Sequence, residues 1–201
     1  QGLNEKTQKA YKDFEFHLVY HHLHNFCTLD LSSFYLDIIK DRVYTSPANS
    51  GQRRSAQTAM SMILDVLVRL MAPVLSFTAE EIWGHMAEKD PDESVHMQQF
   101  LPVREELRDP SLAKRWEEIL AVRREVTKAL EIARKDKRIG HSLDASVSLG
   151  LSPERMAKLE PYRSQLRSVF IVSFVELLPL EDLEEVPENE IVPGLKVRIE
   201  P

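Results

Sequence analysis

The chain has 201 residues, 43% hydrophobic and 29% charged, with 6 Gly, 11 Pro and a single Cys. That balance suits one full-sized globular domain plus a smaller one, and it excludes a disordered chain. It also excludes a membrane helix, because no apolar run nears the roughly 20 residues one requires. One cysteine, Cys27, excludes an internal disulfide or a cysteine-based zinc cluster and fits a reducing compartment. The chain starts Gln1-Gly2 with neither an initiator methionine nor a charged-then-apolar leader, as expected of a piece of a longer protein without a signal peptide.

The net charge of −6 argues against indiscriminate nucleic-acid binding, but the deficit is local. Residues 176–201 carry net −6, residues 1–90 and 91–114 carry −2 each, 115–138 carry +3 and 139–175 carry +1. Basic residues gather at Arg53-Arg54, at Arg123-Arg124 and over 134–138. A local basic face on a near-neutral body can hold a phosphate backbone.

The first half reads as helices. Phe14, Leu18, His21 and Asn25 recur at helical spacing, with Ala10, His17 and His24 on a neighbouring stripe. Ser32 or Ser33 is the expected cap of a second helix whose apolar side is Phe34, Tyr35, Ile38 and Ile39. Residues 44–51 have loop chemistry, and a third helix follows, with Ala56, Met60, Ile63, Leu64, Leu67 and Met71 on one face and Pro73 as its stop. Thr78-Ala79-Glu80-Glu81 has the form of a capping box with Phe77 and Ile82 as its staple, opening a short helix through Trp83 and Met86. From Glu88 to Asp109, Pro91 and Pro102 interrupt any period, and a long connection is expected.

Asp109-Pro110 reads as cap and first residue of a long helix, with Leu112, Trp116, Ile119, Leu120, Val126 and Leu130 inward and Gly140 as terminator. Beyond it Ala145, Val147, Leu149 and Leu151 alternate with polar or small residues, which predicts a half-buried strand. Ser152-Pro153 opens a short helix through Leu159, Tyr162 and Leu166. The run from Val169 to Val175 is rich in strand formers, and Leu195 to Ile199 alternates as a last strand. The expected fold is mainly α: a helical bundle with a connecting loop over residues 1–110, then a long helix and a small α+β domain over residues 111–201.

No glycine-rich phosphate loop, G-x-S-x-G elbow or H-E-x-x-H helix is present, so the sequence offers no self-contained catalytic constellation. His17 and His21 stand four apart, a spacing that can chelate a metal, with His22 and His24 nearby. No cysteine lies at ligand spacing, and packing and surface hydrogen bonding is the reading of these histidines. Cys27 reads as a small buried hydrophobe. Lys40, Arg42, Arg53 and Arg54 flank the loop between the second and third helices, either to bind an anion or to pair with Asp37 and Asp41. Arg123, Arg124 and Lys128, with Arg134, Lys135, Lys137 and Arg138, alternate with acids along the long helix and read by spacing as a solvated face. Trp83 and Trp116 read as core. The residues alone reach a helical domain plus a small α+β domain with an anion-binding surface.

Asn25-Phe26-Cys27, Leu31-Ser32-Ser33-Phe34-Tyr35-Leu36-Asp37-Ile38-Ile39-Lys40-Asp41-Arg42-Val43-Tyr44, Arg53-Arg54-Ser55-Ala56-Gln57-Thr58 and Phe77-Thr78-Ala79-Glu80-Glu81-Ile82-Trp83 occur in that order. Together they resemble the helical anticodon-binding domain of bacterial-type isoleucyl-tRNA synthetases. Trp116, Val122-Arg123, residues 126–131, Ile139-Gly140 and Ile171-Val172-Ser173 continue the likeness over nearly the whole chain.

The resemblance implies a C-terminal fragment that binds isoleucine tRNA, with catalytic and editing domains upstream in the same chain and no catalysis of its own. It implies no cofactor in this fragment. For the parent ligase it implies ATP with magnesium and, in many bacterial members, zinc in a cysteine cluster beyond the stretch 194–201. A cytoplasmic, monomeric protein with no membrane partner is expected. Lys40, Arg42, Arg53 and Arg54 become the candidate tRNA-binding residues, with Arg123, Arg124 and Lys128 as a second band. The alternatives are the equivalent fragment of a related synthetase, such as that for valine, and a helical protein-interaction module.

Overall fold

A computed structural model of the protein describes residues 1–86 and 93–201, so the expected connection from Glu88 lies partly outside the described residues. The chain divides into two compact units, Gln1–Arg108 and Asp109–Pro201. Asp109 falls in the second because its carboxylate caps that unit's first helix. Among the described residues no helix is long and apolar enough to cross a membrane.

The first unit opens with α1 (Gly2–Lys12) and α2 (Phe16–Asn25). The expected stripe through Phe14 does not form. Phe14 takes a left-handed backbone, φ 59°, and is 79% exposed. Its N–H donates to the Tyr11 carbonyl, and that of Glu15 donates to Ala10, a Schellman closure that ends α1. Phase is therefore reset, and α2 buries Val19 and Leu23 while His17, His21 and Asn25 face outward.

The expected serine cap is also absent. Phe26–Tyr35 is wound as a π-helix continuous with α2, and the Ser33 hydroxyl donates back to the Leu29 carbonyl instead of capping a new start. α3 (Leu36–Ile38) and α4 (Lys40–Tyr44) follow, with Ile38 and Ile39 buried as the pattern required.

α5 (Gly51–Met71) is the axis of this unit. Ser50 caps it, accepting from the Arg53 N–H at 3.2 Å, and Pro73 stops it. Leu67 and Leu70 join Ala10, Val19 and Leu23 in one apolar cluster, and Val68 and Ala72 join Ala79, Trp83 and Val95 in another. Each fully buried Val or Leu there contributes about 1.5–3 kcal/mol. Leu64, expected inward, is left partly exposed.

α6 (Ser76–His85) starts two residues before the expected capping box. Thr78 is already inside the helix, and Phe77 is 92% exposed rather than stapled. Glu80 is used elsewhere: its carboxylate accepts from the Ser94 hydroxyl at 2.8 Å and the Val95 N–H at 3.0 Å, holding a short 3-10 turn over Val95–Met97. The return segment is fastened to α1 by the Asn4 and Gln8 amides, which both donate to the Leu101 carbonyl.

The Tyr11 hydroxyl donates to the Leu70 carbonyl at 2.8 Å, joining α1 to the end of α5, and burial pushes its pKa up to about 12. The unfolded chain ionises this phenol near 10, so between about pH 10 and 12 it holds fewer protons than the folded state and stability falls as pH rises. Below pH 10 the contribution is fully present. Tyr11→Phe is expected to cost about 1 kcal/mol at neutral pH and to remove that part of the alkaline slope, as read by urea unfolding across pH.

The second unit opens with α7 (Pro110–Lys135), for which Asp109 and Pro110 act as expected: the Asp109 carboxylate accepts from the Leu112 N–H at 2.9 Å. Ile119, Val122, Val126, Leu130 and Ala133 face inward, whereas Leu112 stays exposed. The stop is not Gly140. Lys137 is left-handed at φ 57°, with its own N–H on Arg134 and that of Arg138 on Ala133, so the same closure comes three residues earlier.

β1 (Ser146–Leu151) is central to a three-stranded sheet of order β2-β1-β3, parallel to β2 (Phe174–Pro179) and antiparallel to β3 (Leu195–Glu200). It is buried on both faces rather than half-buried: Ser148 is buried, and Leu183 packs over Gly150, where a Cβ would stand 3.1 Å from its Cδ1 and 3.3 Å from the Cβ of the cross-strand partner Lys196. α8 (Pro153–Leu159), capped by Ser152, and α9 (Arg163–Phe170) flank a 3-10 turn containing Pro161.

Val169 and Phe170 belong to α9, not to a strand. The helix runs on until Ile171 turns left-handed at φ 57° and closes it, so β2 begins only at Phe174. Gly194, at φ 76°, lies so close to Ser152 that a Cβ would stand 2.8 Å from its hydroxyl. The acidic stretch after β2 is held down at Asn189, whose side-chain amide donates to the buried Glu125 at 2.6 Å.

Candidate nucleic-acid interface

In the first unit α4 packs against α5, with Arg42, Arg53 and Arg54 near the two helix ends that flank residues 45–50 and Lys40 one turn back at the start of α4. The loop is internally fastened. The Thr45 hydroxyl and N–H both donate to the Asp41 carbonyl, Ser50 N–H donates to Pro47, and Arg53 Nη1 donates to the Ser46 carbonyl at 3.2 Å. Arg53 is therefore half-buried and spans the loop, while Arg54, next on α5, is exposed.

Lys40 is exposed and pairs with Asp37 at 2.5 Å, and that hydrogen bond and charge push its pKa up, so it stays a cation. Part of the pairing alternative therefore holds for Lys40. Arg42 is half-buried near Tyr35, whose hydroxyl burial pushes up and the Arg42 charge partly pulls back. The positive end of the 21-residue α5 points into the same region.

Sequence reasoning passed over one residue here. Tyr44, one turn after Lys40, is 80% exposed at the mouth of the loop. Its signal was its place on the polar face of Lys40-Asp41-Arg42-Val43-Tyr44, immediately before turn-forming residues. An exposed ring beside cations is what stacking on an unpaired base requires.

The second band is less uniform. Arg123 Nε donates to the Val169 carbonyl at 3.0 Å in the last turn of α9, so its guanidinium serves the packing of this unit. Arg124 and Lys128 lie one turn apart on the exposed side of α7. Arg134 pairs with Glu131 at 2.5 Å and bonds Ser142, and Arg138 donates to the Ile199 carbonyl. A solvated, partly paired face describes this end of the helix.

His17, His21 and His24 are exposed, and the Tyr20 ring stacks on His24 and meets His21 edge-on, each at 5.4 Å. Among the described residues no group of three or more His, Cys, Asp or Glu is placed to hold a metal ion. Cys27 is half-buried against the first apolar cluster, and burial pushes its thiol up, away from the reactive thiolate. Trp83 is core, with Nε1 donating to the Glu93 carbonyl at 2.6 Å and the Arg69 guanidinium 5.0 Å from its ring centre.

Comparison with known proteins fits this arrangement. The family described as the anticodon-binding domain of tRNA ligase matches residues 1–149, all of the first unit and the second as far as β1. The chain is 51% identical over 201 residues to the isoleucine–tRNA ligase of Syntrophotalea carbinolica, covering 100% of this chain and 21% of that protein. It is 49% identical over 197 residues to that of Geobacter sulfurreducens, covering 98% and 21%, and 46% identical over 190 residues to that of Natranaerobius thermophilus, covering 94% and 20%. The chain thus spans about a fifth of the length of the curated relatives it matches. With its helical unit and long capped helix inside the matched span, the chain belongs to the anticodon-binding domain family of tRNA ligases and is an anticodon-binding region of the isoleucyl-tRNA synthetase type.

Proposed function

We propose that this chain grips the anticodon arm of an isoleucine tRNA on behalf of a longer ligase. That ligase would attach isoleucine to the tRNA with ATP and magnesium in domains outside this chain, with editing also upstream and any zinc bound beyond it. No residue of this chain is assigned to ATP, magnesium or zinc. The observation that carries the reading is the set of cations on the helices either side of the uncharged loop 45–50, Lys40 and Arg42 before it and Arg53 and Arg54 after it, with an exposed Tyr44, inside the span matched by the anticodon-binding family.

The chemistry follows from those groups. Arginine and lysine heads neutralise phosphates and fix the register of the RNA, which carries no sequence information by itself. Arg53 is already held by Ser46, so little of its side-chain freedom remains to be lost on binding, whereas the exposed Arg54 is ordered only by the phosphate it meets. A splayed base then stacks on Tyr44. In the second unit Arg124 and Lys128 supply further phosphate contacts, with Arg123 positioning the helix beneath them. Affinity for an isoleucine-accepting tRNA transcript, measured by anisotropy over a salt series, is expected to fall steeply as salt rises.

A further inference from the structure

The second unit contains a groove of about 600 Å³ between the first turns of α7 and the α8 region, lined by Ser111, Lys114, Arg115, Glu118, Lys158 and Tyr162 among others. Three of those six are cations. Glu118 is occupied by an ion pair with Arg155, which is further fixed by its bond to the Pro193 carbonyl at 2.6 Å. Lys158 pairs with Glu154 on its own helix at 2.6 Å. Asp109, beside the rim, accepts from the Ser111 hydroxyl and the Leu112 N–H; these bonds and the Arg115 charge hold its carboxyl below the usual range, so it stays an anion that a bound phosphate must share Arg115 with.

Arg115 is set across the opening. Its Nε donates to the Tyr162 hydroxyl at 2.9 Å and its Nη1 to the Ser111 hydroxyl at 3.3 Å, which orients the guanidinium while leaving other N–H groups to donate. Lys114 is exposed next to it, and Tyr162 presents a half-buried ring to the same space. Cations and an aromatic ring converging on one groove suit a ligand that joins a phosphate to a planar base.

Resting on the tRNA reading above, we propose that this groove holds one nucleotide of the bound tRNA, with its phosphate on Lys114 and Arg115 and its base against Tyr162. Arg124 and Lys128, about 14 and 20 Å further along α7 by helical rise, carry phosphates several nucleotides away. The RNA footprint therefore includes the start of α7 as well as the loop of 45–50. An acidic peptide would satisfy the cations but gain nothing from the ring.

The test uses an isoleucine-accepting tRNA transcript carrying 5-iodouridine, irradiated on the 201-residue chain, together with binding by Lys114→Ala, Tyr162→Ala and Tyr162→Phe. The cross-linked peptide is expected to contain Tyr162. Lys114→Ala is expected to shallow the log–log salt slope by about 0.7–0.9, and Tyr162→Ala to weaken binding by about five- to hundredfold. Tyr162→Phe keeps the ring and is expected to bind within about twofold of the parent; a loss as large as that of Tyr162→Ala would mean that Tyr162 acts only by positioning Arg115 and would overturn the stacking contact. Salt-sensitive tRNA binding that Lys114→Ala and Tyr162→Ala both leave unchanged overturns the groove alone. No tRNA binding by the parent chain overturns both the groove and the reading beneath it. Displacement of the tRNA by polyglutamate as readily as by oligouridylate would reassign the groove to acidic chains.

Discussion

Replacing Arg53 and Arg54 together with alanine is expected to lower tRNA affinity by about ten- to hundredfold at low salt, and to shallow the salt slope by about 0.7–0.9 for each phosphate that is no longer neutralised. The two residues act differently. Arg54 is exposed and touches nothing that the fold depends on, so Arg54→Ala alone reduces the slope by a single phosphate's share. Arg53 also ties the loop to the Ser46 carbonyl, so its removal loosens residues 45–50 and moves Tyr44 with them. The single Arg53→Ala variant is therefore expected to bind more weakly than its share of the slope accounts for. Anisotropy titrations over a salt series separate the two effects, and an unchanged slope in the double variant would contradict the assignment.

The largest stability effect is expected at Trp83. Its ring fills the cluster between α5 and α6, its indole N–H is bonded to the Glu93 carbonyl, and Arg69 lies over its face. Trp83→Ala removes all three, leaves a cavity and an unpaired carbonyl, and is expected to cost about 3–5 kcal/mol. Trp83→Phe keeps much of the apolar area and should cost appreciably less. Urea unfolding of both variants checks this, and a loss below about 1 kcal/mol for Trp83→Ala would mean the site collapses around the gap.

Signals carried by adjacent residues were legible in the sequence. Asp109-Pro110, Ser152-Pro153 and the stop at Pro73 work as their local chemistry requires, since a cap or a missing N–H depends on nothing distant. The capping box at Thr78 to Glu81 does not form because the helix begins earlier, at Ser76, which leaves Thr78 inside it and not at its N-cap. The bonds of Glu80 to Ser94 and Val95, fourteen and fifteen residues on, were likewise recorded by no local pattern.

Helix ends were hidden by a different effect. α1, α7 and α9 all close through a left-handed residue that is not glycine: Phe14, Lys137 and Ile171. At each, two N–H groups close on the last carbonyls of the helix and offset that backbone cost, which no residue type announces, and so the expected helix through Phe14, the stop at Gly140 and the strand at Val169 were each misplaced.

The candidate site divides along the same line. The clustering of Lys40, Arg42, Arg53 and Arg54 could be read from turn residues between two helices. The bond from Arg123 to Val169, 46 residues away, could not, nor could the exposure of Tyr44. An arginine on a helix looks alike in sequence whether it meets solvent or a distant carbonyl.

The most direct measurement is equilibrium binding of this chain to an isoleucine tRNA transcript, beside a valine tRNA transcript, at two salt concentrations. The account predicts tight binding of the isoleucine tRNA at low salt, a marked loss at high salt, and weaker binding of the valine tRNA. Binding that ignores salt, or that is absent for both transcripts at low salt, would contradict it.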